Sequence, residues 1–117
     1  MRADLAGGCA PGSRRDPGAR LIAALEHLAG GRATLLRHRQ RPWASITFSG
    51  TRHELNFRFS GAEGVATGEA FLADLPDHEF AIPRQLVADV EIKAVDHVLV
   101  PQPELTVELE LLLLDEG

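Results

Sequence analysis

Apolar residues recur at helical spacing in the segment that follows residue 15. Five positions form the stripe: Leu21, Ile22, Ala24, Leu25 and Leu28. Asp16-Pro17 is typical of an N-cap followed by proline at the first helical position, and Gly30-Gly31 interrupts the pattern. The sequence therefore predicts an amphipathic helix between these two signals.

From residue 33 the apolar period changes from helical spacing to two. Residues 43–49 and 52–59 alternate apolar and polar side chains, and Gly50-Thr51 between them is typical of a type II′ hairpin turn. A two-residue turn there pairs apolar with apolar and polar with polar positions, and it places Trp43 beside Arg58 as a cation–π pair. Residues 33–39 predict a further strand.

The second half predicts a short helix and more strands. Residues 65–75 fit a helix that Pro76 ends, and residues 79–82 fit a short strand. Residues 86–94 and 104–111 alternate cleanly. Two registers of their hairpin are open, with the numbers of paired residues summing to 201 or to 203, and the preferred second one sets Lys93 opposite Glu110. Strict alternation carries Asp96 onto the apolar face, so we expect a bulge around residues 95–97 that returns it to solvent.

Together these elements predict an α+β fold. An N-terminal amphipathic helix packs on one face of a five- or six-stranded, mainly antiparallel sheet, with a short second helix near residues 65–75. Residues 1–15, rich in Gly, Ala and Arg, are expected to be a disordered tail, and residues 16–117 a single domain. No internal repeat is apparent.

The composition says more about where the protein is found in the cell than about what it does. No stretch approaches the ~20 apolar residues of a membrane helix. A single cysteine among 117 residues forms no internal disulfide, which favours the cytoplasm. The abundance of Ala, Gly and Arg is typical of a GC-rich, bacterial-like genome.

The net charge of −5 hides an uneven distribution. Residues 1–60 contain 10 Arg against 4 acidic residues, whereas residues 61–117 contain one Arg and one Lys against 13 acidic residues. We interpret the division first as basic and acidic strands that meet across one sheet or one dimer interface. An acidic protein partner, an anionic ligand or nucleic acid at the basic stretch Arg32 to Arg41 is the alternative. An acidic pI near 5.5 and the lack of Tyr argue against nucleic acid.

Candidate chemistry is sparse. No His-x-His, His-Glu-x-x-His or paired-cysteine motif is present, so no metal or cofactor is expected. Nucleophile elbows and phosphate-binding loops are absent too. The catalytic candidates are His53, Asp96 and His97, and the ligand-binding candidates are His38, Trp43 and Arg58.

The missing catalytic motifs favour a non-catalytic binding or assembly module over an enzyme. Leu112 and Leu114 lie on the outward parity of the last strand, so a partner is expected to cover them, most simply in a homodimer. A small-molecule-binding protein or small enzyme with a pocket between helix and sheet is the first alternative. Nucleic-acid binding through Arg32 to Arg41 is the second.

Overall fold

The computed structural model describes residues 16–116, so the expected disordered tail lies outside the described residues. The α+β class is confirmed, with two helices and a single antiparallel sheet of four strands. In chain order the elements are α1 (Pro17–Leu28), β1 (Ala33–Ala44), β2 (Ser49–Ser60), α2 (Gly61–Asp74), a 3-10 turn (Leu75–Asp77), β3 (Gln85–Val98) and β4 (Glu104–Asp115).

The strand order in the sheet is β1-β2-β4-β3, with β2 and β4 in the centre and β1 and β3 at the edges. Each half of the chain therefore runs helix, strand, strand, a repeated order that no sequence similarity between the halves revealed. The shortest dimension of the molecule is 20 Å, which fits one layer of helices on one sheet.

Helix α1 begins and ends where its capping residues predicted. The Asp16 carboxylate accepts a hydrogen bond of 2.9 Å from the backbone N–H of Gly18. At the other end Gly30 and Gly31 adopt φ of 66° and 75°. Their N–H groups donate to carbonyls of the last turn, as in a Schellman motif.

Helix α2 starts earlier than the apolar spacing predicted, and glycines let it approach the sheet closely. Gly64 and Gly68 are both buried on its inner side. A Cβ added to Gly68 would lie 2.7 Å from Leu105 Cδ2 and 2.8 Å from Phe59 Cδ1. Glycine is thus required by packing at position 68, since any larger side chain there would displace the sheet residues beneath it.

Both helices pack on the same face of the sheet. The core consists of alternate residues of β2 and β4 together with the apolar stripes of the helices: Leu21, Leu25, Ala29, Leu55, Phe57, Phe59, Val65, Phe71, Leu75, Ile82, Leu105, Val107, Leu109, Leu111 and Leu113. Within residues 16–116 neither helix has the length and apolar character needed to cross a membrane. We call the other side of the sheet, which no described helix covers, the outer face.

The register predicted for the first hairpin is wrong by eight residues. The turn occupies residues 45–48, and Trp43 lies opposite Gly50 rather than Arg58, which itself pairs with Thr34. Alternation of apolar and polar positions repeats every two residues, so it cannot distinguish registers that differ by an even number. The predicted match of polarity survives the shift, but the Trp43–Arg58 pair does not.

The strand count also changes, from five or six to four. Residues 33–44 form one continuous strand, in which Pro42 pairs with Thr51. Proline is tolerated there because β1 is an edge strand and one side of it needs no backbone donor. Residues 79–82, predicted as a short strand, are irregular.

Two bulges in β3 explain why the second hairpin was also misplaced. The register shifts by one at Ala88 and again at Lys93, so Glu91 and not Lys93 lies opposite Glu110. A single turn rule cannot describe a strand whose register changes twice. Asp96 is exposed, as a bulge was expected to make it, although the bulge lies at Lys93.

Candidate functional site

Two histidines meet between α1 and the sheet. His38 of β1 and His53 of β2 are diagonal neighbours, since His38 pairs with Leu55 and Gln40 with His53. Their rings are stacked with 10° between the planes and 5.2 Å between the centroids. His38 Nε2 lies 3.0 Å from His53 Nδ1, so one nitrogen donates and the other accepts, and at least one ring is neutral.

The environment keeps this pair neutral. His53 is 1% exposed, and its Nε2 has no hydrogen-bond partner among the described residues. Burial lowers the pKa of His53 to about 4, the neighbouring His38 lowers it further, and the Asp16 carboxylate opposes both effects. Burial likewise lowers the pKa of His38, again against Asp16.

The first turn of α1 rests on the histidines. A Cβ added to Gly18 would lie 3.1 Å from His38 Cε1 and 3.1 Å from Gln40 Nε2, so only glycine fits this contact without adjustment. The Asp16 carboxylate, whose charge acts on both histidines, is already used as the cap of helix α1. Within residues 16–116 no three His, Cys, Asp or Glu side chains come together as metal ligands.

The remaining catalytic candidates lie elsewhere. Asp96 and His97 are exposed near the end of β3, where Asp96 pairs with Thr106. His53 pairs with Leu111, five positions further along β4 and therefore ~17 Å away in that direction alone. The structure thus brings His38 and His53 together but leaves Asp96 and His97 apart from them.

The ligand-binding candidates do not converge either. Trp43 and Arg58 both project from the outer face, but Trp43 pairs with Gly50, eight positions from Arg58 and hence ~26 Å along β2. Arg58 Nε instead lies 3.6 Å from Glu104 Oε2. His38 is on the opposite face of the sheet, towards the helices.

A groove of about 740 Å³ that sequence reasoning did not anticipate lies along β3. Residues 76–81 form one wall and residues 85–90 the other. The His78 ring packs edge-on against Phe80, with 4.5 Å between centroids. The groove contains neither His38 nor His53, because it lies at the other edge of the sheet.

Ion pairs cross the outer face from strand to strand. Arg41 Nη2 lies 2.8 Å from Glu54 Oε2, and Arg52 Nη1 lies 2.6 Å from Glu110 Oε2. The second of these joins a basic strand of the first half to an acidic strand of the second half, as the charge distribution predicted. Part of the charge division is therefore neutralised within one sheet.

The two edges of the outer face nevertheless carry opposite charge. Edge strand β1 presents Arg37, Arg39 and Arg41, and edge strand β3 presents Asp89, Glu91 and Asp96. Among residues 16–116 neither Arg37 nor Arg39 forms an ion pair. Edge strand β3 also contains Lys93, whose Nζ lies 3.8 Å from Glu91 Oε2. Acidic residues still outnumber this lysine, so the outer face runs from a basic edge to an acidic edge.

One end of the outer face is apolar. This apolar end comprises Trp43, Leu86, Leu112 and Leu114, which adjoin one another in the register. Leu112 and Leu114 are each only 8% exposed, so the expectation that a partner must cover them is corrected: β4 is central, and side chains of its neighbours shield them. At this end of the sheet the exposed apolar residues are Leu86 at 49% and, in the turn between β1 and β2, Phe48 at 52% and Ile46. Other large apolar side chains are exposed elsewhere: Leu36, Val95, Val98, Leu99 and Val100.

No protein-family model matches the sequence, and no curated protein matches it. Solved structures that match the chain include the following two. A chain from the virion of the native gene transfer agent (GTA) particle is 18% identical, with a TM-score of 0.47 over 84% of this chain and 90% of that one. The type 4 fimbrial biogenesis protein PilO from Pseudomonas aeruginosa is 17% identical, with a TM-score of 0.50 over 92% of this chain and 73% of that one. At this identity the likeness to PilO is one of fold.

Proposed function

We propose that the protein is a non-catalytic assembly module that self-associates through the outer face of its sheet. The observation that carries the proposal is the apolar end, where Leu86 is half exposed on a sheet face that no described helix covers. Phe48 and Ile46 extend the exposed apolar surface into the adjoining turn. Exposed apolar surface is typical of sites where another protein docks.

The fold is compatible with such a role. PilO, whose fold this chain resembles, is described as a type 4 fimbrial biogenesis protein, and the likeness itself supports only the fold. The cytoplasmic location expected from the single cysteine stays a prediction.

A change at the apolar end tests the proposal. Leu86→Glu places a charge where a docked copy would remove it from water, so we expect the protein to shift from dimer to monomer. Val95→Glu is the matched control, because Val95 is 50% exposed on the same strand but projects towards the helix side. Sedimentation equilibrium over a wide concentration range measures both masses.

The expected result is a concentration-dependent dimer for the unmodified protein and for Val95→Glu, and a monomer for Leu86→Glu. A mass equal to one chain at every concentration for the unmodified protein overturns the proposal. Equal dimerisation of all three proteins shows that the interface lies away from the apolar end.

The buried His38–His53 pair supports a second proposal, a small-molecule-binding protein or small enzyme. Its specific observation is the unpartnered Nε2 of His53, a polar atom that a ligand group would satisfy. Thermal-shift screening of small polar metabolites tests it, with the His53→Gln variant as the comparison. A ligand that stabilises the unmodified protein and not the variant supports the proposal, and stabilisation of both equally contradicts it.

Nucleic-acid binding is the weakest of the alternatives. Arg39 of β1 lies in line across the outer face with Glu54, Glu110 and Glu91, and these three carboxylates repel a phosphate backbone. An acidic protein partner faces the same repulsion. Lack of DNA or RNA binding at low salt is the expected result.

A further inference from the structure

We infer that the partner on the outer face is a second copy of this chain, packed face to face about a two-fold axis that runs parallel to the strands. The inference rests on the proposed function and adds to it the orientation of the two copies and the residues that determine it. Its basis is the charge difference between the two edges of the sheet.

Only two orientations place one outer face on another with two-fold symmetry and aligned strands. An axis parallel to the strands sets β1 of one copy over β3 of the other, because the rotation exchanges the two edges. An axis across the strands sets β1 over β1 and β3 over β3. The first orientation joins arginines to carboxylates, and the second joins like charges, which costs free energy.

The register makes the first orientation specific. We call a row the set of four residues that pair with one another across the four strands. Arg39 and Glu91 belong to one row, in which Glu54 and Glu110 lie between them. A rotation parallel to the strands keeps each row over itself, so Arg39 of one copy faces Glu91 of the other. In the same row Glu54 of one copy faces Glu110 of the other, and each of these carboxylates is already paired with an arginine of its own copy, Arg41 and Arg52.

The same rotation superposes the other rows. Arg41 shares a row with Asp89, and Trp43 shares a row with Leu86. Arg41 therefore meets Asp89 and Trp43 meets Leu86, whereas Arg37, which shares a row with Ala94, meets no carboxylate. The apolar end of one copy covers that of the other.

The area of the face is sufficient for a stable dimer. Strands of 12 residues are ~40 Å long and four of them are ~19 Å wide, which gives ~760 Å² per copy and ~1,500 Å² in total. Specific protein interfaces bury about 1,200–2,000 Å² in total. The outer face therefore matches the size of an ordinary interface without any contribution from the tail.

Charge reversal tests the complementarity. Arg39→Glu and Glu91→Arg each create two like-charge contacts in the symmetric dimer, so each alone is expected to weaken dimerisation about tenfold or more. Mixed together, the two variants regain opposite charges at both contacts and dimerise with each other. Arg20→Glu, on the exposed side of α1, is the control and leaves dimerisation unchanged.

The rescue also shows that both variants fold. Unaltered dimerisation of both single variants, or failure of the mixture to recover, overturns the inference.

Cross-linking tests the orientation directly. In a Cys9→Ser background, Arg39→Cys and Glu91→Cys proteins are coexpressed with different tags and treated with a bismaleimide that spans the about 10 Å between packed sheets. We expect a cross-link between the two different variants and none within either variant alone. Cross-linking of Arg39→Cys to itself indicates the axis across the strands and overturns the inference.

The outcomes separate the two proposals. A dimer by mass that gives no cross-link overturns the orientation and leaves self-association intact. A monomer by mass contradicts the proposed function itself.

Discussion

At the scale of single residues, His53 is a titratable side chain that folding has removed from water. Its ring is enclosed beneath α1 beside His38, and the pair exchanges one hydrogen bond. No catalytic or metal-binding motif in the sequence distinguishes His53 from the exposed His97. Its burial follows from its odd-numbered position in β2, which alternation predicted, and from the true register, which it did not.

His53 should make stability depend on pH. Its pKa is about 4 in the folded protein and 6.5 when unfolded, so below pH 6.5 the unfolded chain binds a proton that the folded chain does not. The free energy of unfolding therefore falls as pH drops from 6.5 to about 4, by about 3 kcal/mol in total, and levels off below. Urea denaturation at a series of pH values measures this.

A matched pair of variants isolates the contribution of His53. His53→Gln removes the titration, so the loss of stability between pH 6.5 and about 4 is expected to shrink in that variant. His97→Gln changes an exposed histidine and keeps the full pH dependence. Identical pH profiles for the two variants contradict the assignment.

At the scale of elements, the sequence predicted where helices and strands lie better than it predicted which strand residues pair. Asp16 and Gly30 define α1 through local hydrogen bonds, which a sequence displays directly. The hairpin registers depend on a four-residue turn and on bulges at Ala88 and Lys93. Such features change pairing without changing the alternation of polarity. Alternation alone therefore could not place Trp43, and it left Glu91 and Lys93 as alternatives opposite Glu110.

The two buried glycines of α2 give a test at this scale. Gly68→Ala introduces a methyl group 2.7 Å from Leu105 Cδ2, so we expect a loss of about 1–3 kcal/mol in the free energy of unfolding. Gly64→Ala is the control, because its nearest contact would be 3.5 Å, an ordinary van der Waals distance. Higher helix propensity should make that variant neutral or more stable by up to about 1 kcal/mol.

Thermal and urea denaturation compare the two substitutions. Equal destabilisation by both would show that α2 as a whole resists Cβ atoms. Equal tolerance would show that the helix can move away from Leu105 without loss of packing.

At the scale of the whole molecule, a modest net charge coexists with a strongly polarised sheet. Local pairs such as Arg52–Glu110 neutralise the centre of the outer face, while the two edges keep opposite signs. The sequence predicted the opposite charges and their meeting across one sheet. It could not predict their spatial order, because that order depends on which strands are central.

Dimerisation should accordingly weaken with salt. Raising NaCl from about 0.05 M to about 0.5 M shortens the screening length and weakens the contacts between Arg39 and Glu91 of different copies, so the dimer dissociation constant rises. Burial of the apolar end alone would leave it unchanged or lower it. Sedimentation equilibrium at the two salt concentrations distinguishes these outcomes, and the Arg39→Glu and Glu91→Arg mixture should show the same salt dependence as the unmodified protein.

The irregular edges of the sheet have a consequence for how far assembly can proceed. Pro42 removes a backbone donor from β1, and the bulges at Ala88 and Lys93 break the ladder that β3 offers to another strand. Edges of this kind resist the addition of strand after strand that leads to open fibres. A pairing of two faces by a two-fold rotation, in contrast, uses each face once and closes on itself. The backbone thus disfavours polymerisation, as the closed dimer that we propose requires.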